Sequence, residues 1–152
     1  MTRINLAKAA PETYKALIAL DTAVREGIDP ELAELVRIRA SQINGCAYCI
    51  HRHTSDARAA GESEERLTLV SIWHDAPSFF SELEQAVLAL TEAVTTLPHG
   101  GVPDDIYDRV ATHFDEHRIG QLIGLIFTIN AWNRIGVATR LEPQPRAQLT
   151  NR

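Results

Sequence analysis

Apolar residues recur along this chain every three or four positions, the spacing that gathers them on one face of an α-helix. Tyr14, Leu17, Ile18 and Val24 set out a first helix from about Pro11 to Glu26, stopped by Gly27. Asp29-Pro30 opens a second, because Asp can cap and Pro is tolerated at the first helical position. It carries Leu32, Leu35, Val36 and Ile38 and ends near Asn44-Gly45, residues suited to the left-handed conformation. A third helix runs from about Cys46 to Gly61, and a fourth opens at Ser63-Glu64-Glu65 and ends near Trp73 to Pro77. A fifth covers Ser81 to Thr96. After the loop Leu97-Pro98-His99-Gly100-Gly101, Pro103 starts a short sixth that reaches about His113.

The seventh and last helix, from about Glu116 to Thr139, is the most apolar. Gly120, Gly124 and Gly136 lie on it among Leu122, Ile123, Leu125, Ile126, Phe127 and Ile129. A helical glycine costs about 1 kcal/mol relative to alanine, so these positions suit close approach of another backbone. The segment reads either as a core helix of one chain or as a subunit-interface helix. From Leu141 the tail is rich in Pro and Gln and is expected to be loose. No strand alternation of useful length appears. The expected fold class is therefore all-α.

With 152 residues the chain suits a single domain spanning 1–152. Apolar residues make up 45% and charged residues 23%, as in ordinary globular proteins. A net charge of −5 with no run of Lys or Arg disfavours a nucleic-acid surface. The opening Met1-Thr2-Arg3-Ile4-Asn5 is too polar for a secretory leader, and no apolar run reads as bilayer-spanning. A cytoplasmic protein without membrane or nucleic-acid partners is expected. In that compartment a CxxC pair serves catalysis or metal binding more often than structure.

The only two cysteines are Cys46 and Cys49, and His53 follows the second by one helical turn. Positions 46, 49 and 53 share a helix face. Gly45 places the pair at the helix start, where free N–H groups and the dipole favour a thiolate. His53 is placed to take a proton from Cys49, and Cys46 to resolve an oxidised Cys49 by forming a disulfide.

Glu34 joins them by rise. If the second and third helices form an antiparallel hairpin, Glu34 stands about ten residues before the bend and His53 about nine after it. At about 1.5 Å per residue both reach a similar height. Glu31, one turn earlier, suits the helix start better. A zinc site of Cys46, Cys49, His53 and Glu34 is one alternative, but a structural zinc site uses a second ligand pair and no further cysteines exist. An inert buried pair is another. Ile50 stands where c-type haem attachment needs histidine, and a thioredoxin fold would need strands.

His51 points away from Cys49 and His53 by roughly 100° per residue, toward solvent or an interface. Tyr48 suits packing, with a hydroxyl able to bond near the thiols. Arg37 and Arg39 suit a solvated face, while Trp73 and Trp132 suit core or interface. Nothing in their spacing singles out His74, His99, His113 or His117.

Glu34, eleven intervening residues, then Cys46-x-x-Cys49-x-x-x-His53 resembles the signature of the alkylhydroperoxidase D-like proteins, within the wider carboxymuconolactone decarboxylase family. Leu35-Val36-Arg37-Ile38-Arg39-Ala40-Ser41-Gln42-Ile43-Asn44-Gly45 and the later Asn130-Ala131-Trp132-Asn133-Arg134 strengthen the likeness. The resemblance implies an all-helical fold in symmetric homo-oligomers, trimers or hexamers. It also implies a peroxidatic Cys49, a resolving Cys46, and a Glu34–His53 proton relay. Reducing equivalents would come from a dithiol or a lipoylated protein, with no cofactor or metal. One departure is Tyr48, which stands where those peroxidases carry a further relay histidine, and tyrosine is no base near neutral pH.

The leading expectation is a thiol-dependent peroxidase or disulfide oxidoreductase acting on hydroperoxides. A cofactor-free decarboxylase of the namesake branch is the first alternative, although that chemistry needs no cysteine pair. A non-enzymatic oligomeric redox sensor is the second.

Overall fold

The computed structural model describes residues 1–145, and among them every regular element is helical. The helices are α1 (Leu6–Ala9), α2 (Pro11–Ala23), α3 (Pro30–Ile43), α4 (Ala47–Ala59), α5 (Glu64–Leu69), α6 (Glu82–Thr96), α7 (Asp104–Ala111) and α8 (Glu116–Thr139). Residues 141–145 are irregular; the rest of the expected loose tail lies outside the described residues.

The all-α expectation is met, with three local differences. A four-residue helix, α1, precedes α2, capped by the Asn5 side chain on Lys8 N. Pro11 separates the two, because the residue before a proline is driven out of the helical region, and Ala10 sits at φ −142°, ψ 69°. Next, α2 ends at Ala23, earlier than its apolar spacing suggests. Lastly, the fourth helix tightens into 3₁₀ turns at Val70–Asp75, with Ile72 non-helical, and again at Pro77–Phe79. The kink accompanies the burial of Trp73, whose indole N–H donates to Glu92 at 2.8 Å.

The centre of the fold is α3, which packs against α4, α6 and α8. Eight of its fourteen residues are buried. One core cluster joins Leu32 and Val36 of α3 to Val87 and Leu90 of α6 and to Leu122 and Ile126 of α8. A second joins Leu35 and Ile38 to Val70, Trp73, Phe80 and Leu88.

α8 packs into the core of the chain itself. It is long and apolar enough to cross a bilayer, contrary to expectation, yet 56% of its most apolar window is buried inside the fold. Two of its glycines accommodate side chains rather than a neighbouring backbone. A Cβ on Gly124 would stand 2.8 Å from Val24 Cγ1, and one on Gly136 would meet the cysteine sulfurs, whereas Gly120 faces open space.

Asp29 starts α3 as the spacing predicts. Its carboxylate accepts from Glu31 N at 3.0 Å and Leu32 N at 3.1 Å, so the capping role belongs to Asp29 and not to Glu31. Asp29→Ala is expected to cost about 1 kcal/mol, read as a lower urea midpoint at unchanged slope.

Candidate functional site

The site grows from the bend between α3 and α4. Asn44 closes α3, and Gly45 turns the chain at φ +66°, a left-handed conformation natural to glycine. Cys46 N–H donates back to Ser41 O at 3.0 Å, which seats Cys46 as the N-cap of α4. Its sulfur accepts from Cys49 N–H at 3.3 Å. Cys46 and Cys49 are joined as a disulfide, Cα to Cα 5.3 Å.

The two sulfurs differ in surroundings. Both residues are buried, 2% and 4% exposed. Cys49 lines a cavity of about 540 Å³; Cys46 is not part of its wall and lies against Gly136.

One turn beyond Cys49, His53 Nδ1 lies 2.8 Å from Glu34 Oε2. The hairpin therefore levels the two side chains, as the rise along each helix predicts, and both line the cavity with Cys49. The other Glu34 oxygen accepts from Arg37 Nη1 at 2.6 Å. Burial alone would push the Glu34 carboxyl up. The hydrogen bond and charge of His53, together with Arg37, outweigh it and hold the carboxyl below its usual range. An ionised Glu34 fixes the imidazole with Nδ1 engaged, leaving Nε2 as the nitrogen available for proton transfer.

Arg37 and Arg39 do not cover a solvated face. Arg37 is only 5% exposed, and its Nη2 is buried without a hydrogen-bond partner. Arg39 Nε donates to Glu92 at 2.7 Å, tying α3 to α6. Both helix flanks of α3 are packed, so even its polar positions are enclosed, and neighbouring carboxylates compensate the charge. Trp73 is core, as expected, whereas Trp132 is half-buried on the cavity wall, edge-on to Tyr14 at 5.5 Å. Tyr48 also lines the cavity, and His51 is half-buried on another side of α4.

Two parts of the site escaped sequence reasoning. The N-terminal arm closes one side of the cavity, with Ile4, Leu6, Tyr14 and Ile18 in its wall. Arg3 N–H donates to Thr139 O at 2.8 Å and holds the arm on the end of α8. No periodic signal could have announced a contact so distant in sequence. The other is a buried amide cluster behind the bend. Asn44 Nδ2 donates to Asn130 Oδ1 at 2.8 Å and Asn133 Oδ1 at 2.9 Å, and Asn133 Nδ2 donates to Ser41 Oγ at 2.9 Å. Its signal was the three-residue spacing of Asn130, Asn133 and Gly136, which sets them along one strip of α8.

As for metals, Glu34, His53 and Asp56 bring ligand atoms within 4.8 Å of one another. The Arg37 guanidinium already bonded to Glu34 opposes a dication there. The zinc set of Cys46, Cys49, His53 and Glu34 needs thiolates, which cysteines joined in a disulfide do not offer.

A carboxyl whose folded pKa is lowered stabilises the fold fully above the ordinary carboxylate range and loses that contribution as pH falls through its folded value. Wild-type stability in urea is therefore expected to drop steeply on the acid side. Glu34→Gln should be less stable near neutrality but lose less on acidification. An equal acid slope in both proteins would exclude Glu34 as a source.

Residues 11–92, more than half the chain, match the model of the carboxymuconolactone decarboxylase family. The uncharacterized protein YdfG of Bacillus subtilis (strain 168) is 41% identical over 137 residues, covering 90% of this chain and 92% of its own. The crystal structure of ATU0492 from Agrobacterium tumefaciens superposes with a TM-score of 0.92 at 39% identity, over 96% of this chain and all of the other. That protein is of unknown function and a candidate antioxidant defence protein AhpD. The alkylhydroperoxidase AhpD core of a peroxidase-related protein from Ralstonia eutropha JMP134 superposes at 0.79 with 17% identity, covering 91% and 74%, and speaks for the fold alone. Family model, relative and superposition agree with the hairpin geometry: the chain belongs to the carboxymuconolactone decarboxylase family, among its alkylhydroperoxidase D-like members.

Proposed function

We propose that this protein is a thiol-dependent peroxidase that cycles Cys46 and Cys49 between dithiol and disulfide. One observation carries the reading: of the two joined sulfurs, the one on the cavity wall shares that wall with a histidine held by an ionised carboxylate.

In the dithiol state, His53 takes the Cys49 proton and the thiolate attacks the terminal oxygen of a hydroperoxide. The O–O bond breaks, Cys49 becomes a sulfenic acid, and the departing alkoxide takes a proton from His53. Glu34 keeps the imidazole oriented and balances its charge while it is protonated. The Cys46 thiol then attacks the Cys49 sulfur, the S–O bond breaks, and water leaves with the Cys46 proton. The disulfide is restored to dithiol by an external dithiol, whose oxidation to a disulfide supplies two electrons. Its thiolate meets Cys49 first, because Cys49 is the sulfur on the cavity wall. The leaving Cys46 thiolate is stabilised at the N-terminus of α4, where Cys49 N–H already points at its sulfur.

A lipoylated protein is one reductant that would fit this chemistry, and a homo-oligomer is the assembly proposed. The decarboxylase alternative gains no support from a buried cysteine pair beside the relay. The redox-sensor alternative differs in predicting one oxidation without turnover.

Turnover of an organic hydroperoxide with excess dithiol discriminates these readings. Cys49→Ser is expected to abolish it. Cys46→Ser is expected to leave a single oxidation of Cys49 per chain with no internal disulfide. His53→Ala is expected to slow thiolate oxidation by roughly 10²-fold or more. Full turnover in both cysteine variants would sink the peroxidase reading, and stoichiometric oxidation alone in wild type would favour the sensor.

A further inference from the structure

Gly136 of α8 is placed against both redox sulfurs. A Cβ built on it would stand 2.8 Å from Cys46 Sγ and 3.5 Å from Cys49 Sγ. The first distance is shorter than real side chains accept, so one partner would have to move.

The helix is poorly free to do so. Asn133 and Asn130, one and two turns earlier on the same strip, are bonded through Ser41 and Asn44 to the bend that carries Cys46. Asn130 also donates to Thr95 Oγ1 of α6 at 3.0 Å. Backing α8 away would stretch buried amide bonds, each costly to leave unmade. The strain of an added methyl therefore falls on the sulfurs.

There the two redox states differ. In the disulfide, Cys46 Sγ is tied to Cys49 and cannot turn aside. In the dithiol, each side chain is free to rotate about χ1 to another staggered position. A methyl at position 136 thus opposes the disulfide more than the dithiol, and a hydrogen there opposes neither.

We infer that Gly136 is a positioning residue that sets the stability of the Cys46–Cys49 disulfide, keeping the floor beneath the sulfurs open so that the bond can close. The inference builds on the proposed redox cycle in assigning a kinetic role, resolution of the Cys49 sulfenic acid. Its thermodynamic core concerns the disulfide alone.

The test compares three variants of one helix. Gly136→Ala, Gly124→Ala and Gly120→Ala each add the same methyl and the same helix preference. The added Cβ meets the sulfurs in the first, the Val24 side chain in the second, and nothing in the third. Each full-length protein is equilibrated in dithiothreitol redox buffers, and the disulfide fraction is read by thiol alkylation. Gly136→Ala should lower the disulfide-to-dithiol ratio by about tenfold, a potential about 30 mV less negative, with the other two at the wild-type value. After one equivalent of hydroperoxide its sulfenic acid should persist longer, and a second equivalent should over-oxidise it more readily to the sulfinic acid.

A wild-type ratio in Gly136→Ala, or an equal shift in all three, overturns the inference. If Gly136→Ala fails to fold, Cys46→Ala is added to it, which removes the sulfur that the methyl meets. Recovery of the fold supports the inference, and continued failure overturns it. The redox equilibrium involves no peroxide, so a wild type that holds the couple but turns over no hydroperoxide defeats the proposed function and leaves this inference standing.

Discussion

The structure hangs on the docking of the α3–α4 bend against α8. Asn44 supplies the tie: its single side-chain amide donates to two asparagines on the last helix, nearly ninety residues away in sequence. A backbone turn at the end of two helices would otherwise be free to fray. Buried amides hold it because an unpaired one would cost more than the bond itself contributes. Through that tie the position of Cys46, the start of α4 and the approach of Gly136 are all set together. The cysteine pair is thus held from behind by α8 and reached from the front through the cavity.

Carboxylates organise the rest of the polar interior. Glu34 takes His53 and Arg37; Glu92 takes Arg39, Trp73 and His74; Glu84 takes Arg66, which also reaches Glu62. In each case burial opposes the charge and the gathered donors win, so Glu34, Glu84 and Glu92 are all held below the usual carboxylate range. Two of these hubs cross-link helices. The Glu34 hub does so too, joining α3 to α4, and it alone opens onto the cavity with a cysteine. The same physical device therefore ties helices in two places and, in the third, also faces the cavity where the proposed chemistry takes place.

Asymmetry between the sulfurs follows from where the helix begins. As N-cap, Cys46 sits outside the helical backbone with a free N–H aimed at its sulfur, whereas Cys49 lies within the first turn and on the cavity wall. A CxxC pair at a helix start is divided in this way by geometry: one sulfur sheltered near backbone donors, the other presented outward. The proposed relay then needs only to stand one turn further along, which is where His53 is.

What was legible beforehand was local. The three-to-four-residue period of apolar positions, Asp29-Pro30 at one helix start and Asn44-Gly45 at its end are short-range signals, and they marked the main helices closely. The i, i+3, i+7 spacing of Cys46, Cys49 and His53 placed them on one face, and counting rise along a hairpin levelled Glu34 with His53. Where local signals competed, as at the end of α2 and in the 3₁₀ stretch around Trp73, boundaries moved. The tertiary structure alone decided which polar residues are enclosed, since the burial of Arg37 and the half-burial of Arg39 depend on three helices packing around α3. It also decided that the N-terminal arm walls the cavity, that Asn130 and Asn133 clamp the bend, and that a glycine lies beneath the disulfide. Those are contacts between residues from about eighty to well over a hundred positions apart. Helical periodicity says which way a side chain faces, but not what it meets; that is settled only when the helices pack.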